Sequence, residues 1–182
     1  MKLSSVIFLL FFPIVLLAQE AVEIKNGEKY QPGSLYPFLE DLYKRNDYVI
    51  SYRIRMTDKI NERSDYFIMT RKNNVLTAYQ FLDQGQQLKA MNLSKKSLEL
   101  VWDTFVQNEL FSIQNEKDIP NFCLAKYQIY NSHTYEFVLV NKGTVKKLSY
   151  YDPEYYDNAC YGMPERRKII NSASVINFVL TE

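Results

Sequence analysis

One histidine, one tryptophan, two cysteines and five glycines are spread over 182 residues. Each scarcity removes a class of chemistry. The few glycines form neither the Gly-x-Ser-x-Gly elbow of a serine hydrolase nor a phosphate-cradling loop. A histidine base would have to be His133, which sits in "YNSHTY" between two expected strands and reads as a solvated turn residue. A closed four-ligand zinc site has too few histidines and cysteines to draw on. No metal and no cofactor is expected on these grounds.

An excess of charge is also missing. The formal net charge is +1, and the opening "MKLSSVIFLLFFPIVLLAQE" carries Lys2 but no acid before Glu20. Lys2, the apolar run Val6 to Leu17 and the small Ala18 have the layout of a secretory signal peptide, residues 1–18. A membrane anchor needs about 20 apolar residues, more than this run interrupted by Pro13 provides. Cleavage leaves acids and bases in equal number, without the basic surplus of a nucleic-acid binder. No later apolar run is long enough to span a membrane. The mature chain is therefore expected to be soluble, and secreted or periplasmic. In that oxidising setting Cys123 and Cys160 are expected to form one disulfide.

The chain is rich in aromatics, with 15 tyrosines and 11 phenylalanines. After a polar, loosely held lead-in at 19–33, one domain is expected over 34–182, about the size of a common single domain. Leu35, Leu39 and Leu42 mark a short helix with Pro37 in its first turn. "DYVISYRIRMTD" alternates with period two and reads as a half-buried strand. A hairpin turning at Asn73-Asn74 and a weaker strand in "QLKAMNL" follow. Ser94 caps a helix in 94–111 in which Leu98, Val101, Trp102, Phe105, Val106 and Glu109 follow helical spacing. Strands resume in "AKYQIY", "TYEFVLV" and "VKKLSYY". Pro164 opens a last helix with Ile169, Ala173, Ile176 and Leu180 on one face. The class is α+β: an antiparallel meander sheet of about seven strands in two groups with about three helices, in the order α-β4-α-β3-α.

The segment "SYYDPEYYDNACYG" concentrates tyrosine and acid. Asp152 and Glu154 have the alternate spacing of a calcium loop. Asp157 stands where the turn glycine belongs, however, and Met163 where the closing glutamate belongs. A chain leaving the end of a third strand must return roughly 25 Å to reach Cys123 at the start of a first. Nine residues reach about 30 Å, so an extended strap is expected. Its rings, Tyr150, Tyr151, Tyr155, Tyr156 and Tyr161, either pack on the sheet or meet a partner. In "ERRK", at the start of the last helix, basic charge calls for an acidic neighbour, the strap's acids being nearest in sequence.

These features favour an exported binding protein without catalytic activity, an inhibitor or immunity-type protein whose partner is another protein. The alternatives are a structural or surface-associated envelope component, then an enzyme independent of histidine or a small-ligand carrier.

Overall fold

The computed structural model describes residues 22–56, 65–82, 86–119, 129–160 and 163–181. Its elements are β1 (Glu28–Lys29), α1 (Pro37–Tyr43), β2 (Tyr48–Met56), β3 (Tyr66–Lys72), β4 (Val75–Leu82), β5 (Gln87–Ala90), α2 (Lys95–Gln107), β6 (His133–Asn141), β7 (Thr144–Tyr151), α3 (Pro153–Ala159) and α4 (Pro164–Leu180). A 3-10 turn, Glu116–Asp118, follows α2. The α+β class stands, with four helices rather than about three and with β1 and α3 added to the expected order.

One seven-stranded sheet runs β1-β7-β6-β2-β3-β4-β5, antiparallel at every pairing. The two expected strand groups are joined where β2 pairs with β6, Tyr48 opposite Asn141 through Met56 opposite His133. Both tight hairpins turn on positive φ: Asn73 at 48° and Asn74 at 65°, Lys142 at 44° and Gly143 at 79°. Such turns match the right-handed twist of the flanking strands.

Helices cover both faces. On one face, Val101, Trp102 and Phe105 of α2 and Ile169, Ala173 and Ile176 of α4 pack on Ile50, Met69, Phe137 and Leu148. On the other, Leu39 and Leu42 of α1 pack on Val49, Ile68 and Val140. Burial of each such side chain stabilises by roughly 1.5–3 kcal/mol. Because α1 covers the second face, β2 is buried from Tyr48 to Tyr52 rather than half-buried. On α4 it is Val179 that turns inward; Leu180 is exposed.

Two expectations change here. The lead-in, from residue 22 onward, is tied down rather than loose. Glu28 and Lys29 pair with Val145 and Thr144, and the Val22 carbonyl accepts from Tyr48 Oη at 2.9 Å and Asn141 Nδ2 at 3.0 Å. Gly27 permits this approach, since a Cβ there would collide with Thr144 Cγ2. The strand expected in "AKYQIY" lies largely outside the described residues, and its last two, Ile129 and Tyr130, are not strand. In a meander it would lie beside β6, and that side of β6 is taken by β2. The expected signal peptide, residues 1–18, also lies outside the described residues.

Candidate functional site

The tyrosine segment is not an extended strap. After β7 the chain makes one left-handed residue, Asp152, at φ 36° and ψ 61°, and winds into α3. Asp tolerates that conformation because its short polar side chain can hydrogen-bond locally. Here its carboxylate accepts from Tyr155 N at 3.2 Å, capping the helix. Pro153 takes the first helical position and Glu154 the first turn. Asp-Pro-Glu is a helix-start signature, so the signal was present in the sequence. Seven helical residues advance only about 10 Å, too short for the expected return along the sheet.

The five tyrosines separate by what this turn does to them. Tyr150 points into the core from β7, and its hydroxyl donates to the Gln114 carbonyl. Burial raises its pKa well above the ordinary tyrosine range. Tyr156 is buried by α3, its ring 5.3 Å from the Arg166 guanidinium. Tyr151 is half-buried, accepting from Ser132 N at 3.1 Å. Tyr155 is 36% exposed. Tyr161 and Cys123 lie outside the described residues, while Cys160 is buried at the end of α3.

Beneath the segment lies a buried ion pair whose acid comes from the 3-10 turn, not from the tyrosine segment. Arg166, from the "ERRK" cluster, is 0% exposed and places Nε 3.1 Å from Glu116 Oε1. The other carboxylate oxygen accepts from Tyr151 N at 2.8 Å, and Arg166 Nη1 donates to the Tyr156 carbonyl at 3.4 Å. The pair thus joins the 3-10 turn, β7, α3 and α4. Arg167 does meet an acid of the tyrosine segment, Asp157, as expected.

His133 is not a free turn residue either. It opens β6, with Met56 opposite on β2. Its Nε2 lies 3.3 Å from Glu154 Oε2, and its Nδ1 lies 3.4 Å from Ser132 Oγ. Ser132 Oγ donates to Asp152 Oδ2, and Tyr135 Oη donates to Glu154 Oε1 at 2.5 Å. The Asp152 amide returns to the His133 carbonyl at 2.8 Å, which fixes the start of α3 against β6. One possible ligand atom from each of His133, Asp152 and Glu154 lies within 4.8 Å of the others. Burial and the Glu154 hydrogen bond raise Tyr135 well above its ordinary pKa. Next to it, edge-on at 5.7 Å between ring centres, is Tyr52. Tyr52 is raised by burial first, then by the neighbouring Tyr135 and the Glu154 charge.

A second feature lies on the opposite face. Seven-residue α1 leaves part of the sheet uncovered, and a groove of about 480 Å³ runs beside it. Leu35, Leu39 and Val138 supply apolar wall, with Arg53, Glu136 and Lys147 at the polar side. Arg53 Nε is 2.5 Å from Glu136 Oε2, and Tyr36 stands at the rim, 49% exposed. Among the described residues, no helix is long and apolar enough to cross a membrane. Comparison of the chain with family models, curated proteins and solved structures gives no match.

Proposed function

We propose that the mature chain is an exported binding protein, without catalytic activity, whose partner is another protein in the cell envelope or outside the cell. Cleavage after residue 18 and a Cys123–Cys160 disulfide belong to this reading. The hydrophobic leader and the cysteine count support them, as does the lack of a free cysteine thiol among the described residues. The observation that carries the reading is the groove beside α1. It combines an apolar floor, an exposed tyrosine and an arginine held by a glutamate. Tyrosine and arginine around an apolar centre are the residues that anchor protein interfaces. Of the tyrosine segment, Tyr155 is the described ring most open to a partner, whereas Tyr150 and Tyr156 are buried.

The test is capture from the native envelope with the mature protein, repeated with Tyr36→Ala/Lys147→Glu and with Tyr155→Ala. A protein partner held by the parent should bind the groove variant about tenfold more weakly or worse, and the Tyr155→Ala protein as before. Circular dichroism checks that both variants fold. A partner that follows Tyr155 instead moves the interface to α3. The absence of any saturable protein partner overturns the reading.

A further inference from the structure

We propose that His133, Asp152 and Glu154 form a binding site for a first-row divalent cation, of which Zn²⁺ is the fitting probe. The spacing is the first reason. Two ligands each about 2.1 Å from a tetrahedral ion lie about 3.4 Å apart, and His133 Nε2 stands 3.3 Å from Glu154 Oε2. A direct N–H to oxygen bond favours about 2.9 Å.

The placement of protons is the second. Ser132 has one hydroxyl proton, and it goes to Asp152, which can only accept. Towards His133 the serine oxygen therefore accepts, which puts a hydrogen on Nδ1. Nε2 is then the ring nitrogen turned to the Glu154 carboxylate, and a positive centre, a proton or a metal ion, can sit between them.

The third reason lies outside the three ligands. Tyr52 is only 4% exposed, and its hydroxyl leans on that of Tyr135. It stands behind Tyr135, close enough for the Glu154 charge to act on it. Tyr135 holds Glu154 Oε1 and leaves Oε2 to face His133. Ser132 steadies both Asp152 and the imidazole. Partners of this kind orient metal ligands and fix the tautomer of a ligating histidine. The donor set chooses the class of ion. One imidazole nitrogen with two carboxylates suits Zn²⁺ with a fourth position open to water, whereas Ca²⁺ takes six to eight oxygens.

The experiment uses untagged, chelator-treated mature protein, with Zn²⁺, Mg²⁺ and Ca²⁺ added separately and followed by calorimetry. One equivalent of Zn²⁺ should bind. His133→Gln and Glu154→Gln should each weaken it at least tenfold, and Tyr135→Phe about tenfold. Because His133 is the sole histidine, its ring nitrogens give unambiguous NMR signals in the parent protein, which needs no variant to fold. Zn²⁺ should shift Nε2 strongly and leave the proton on Nδ1. An imidazole unmoved by Zn²⁺, stoichiometric binding unchanged in His133→Gln, or preference for Ca²⁺ or Mg²⁺ would each overturn the proposal. It stands apart from the groove reading, because it is read without any protein partner.

Discussion

Two acid–base pairs flank the short helix α3, and they differ in almost everything except their chemistry. Glu116 and Arg166 are buried, and both carboxylate oxygens are used, one by the guanidinium and one by the Tyr151 amide. Glu154 and His133 keep 40% and 27% of their side chains exposed, and the contact between them is longer. A buried charge that loses its partner leaves an uncompensated ion in low dielectric, whereas an exposed one is rescued by water. The first pair therefore holds β7, α3 and α4 together. The second is open to solvent and free to take a ligand. Environment, not residue type, separates the structural acid from the available one.

The largest expected effect breaks the closed pair. Glu116→Ala strands Arg166, which already has one nitrogen, Nη2, without a partner. It should cost about 3–5 kcal/mol in urea unfolding. Glu116→Leu with Arg166→Met should recover much of that loss, because apolar replacement of a buried pair is often tolerated. A loss below about 1 kcal/mol for Glu116→Ala would show that the pair is not the joint described here.

The tyrosines extend the contrast. Tyr150→Ala removes a fully buried ring and should cost about 3–5 kcal/mol, with Tyr150→Phe costing about 1 kcal/mol for the hydrogen bond to Gln114. Tyr155→Ala, at the exposed end of the same segment, should stay within about 1 kcal/mol. Equal losses at the two positions in the same unfolding experiment would contradict the division into inward and outward rings. On the open pair, Glu154→Gln without added metal should also cost less than about 1 kcal/mol.

What the sequence made legible follows from how local each signal is. Asn73-Asn74, the Ser94 cap and Pro164 act within a few residues, and each stands where it was expected. The rest depends on distant partners. Glu28 and Lys29 show no strand periodicity and become one only because β7 offers an edge. Basic charge in "ERRK" calls for an acid, but nothing near Arg166 in sequence announces Glu116, 50 positions away. His133 looked like a turn residue until β2 was set opposite it. The α3 start is legible in Asp-Pro-Glu, whereas an extended strap requires a strand at 125–130, of which the described Ile129 and Tyr130 are not strand. The candidate cation site needs the last two of these, His133 in β6 and the start of α3 at Asp152 and Glu154.

Lys146 is the intermediate case and sharpens the comparison by pH. Like Arg166 it is buried, but it meets two carbonyls rather than an acid, Lys25 O at 2.8 Å and Phe111 O at 3.2 Å. Burial pushes its ammonium down from 10.5 to about 8. Below pH 8 the folded and unfolded chains both hold the proton, and the burial penalty is constant. Between about 8 and 10.5 the unfolded chain still holds it while the folded chain releases it. The unfolded state then binds more protons, so stability rises with pH across this window. The rise expected across this window is about 1 kcal/mol. The buried tyrosines act in the opposite direction nearer pH 10, because the unfolded chain ionises there first. Urea unfolding at pH 7.5, 8.5 and 9.5 should therefore show the rise in the parent protein and not in Lys146→Met. A flat difference between the two proteins over that range would mean that the ammonium keeps its charge, and that two carbonyls suffice where Arg166 has a carboxylate.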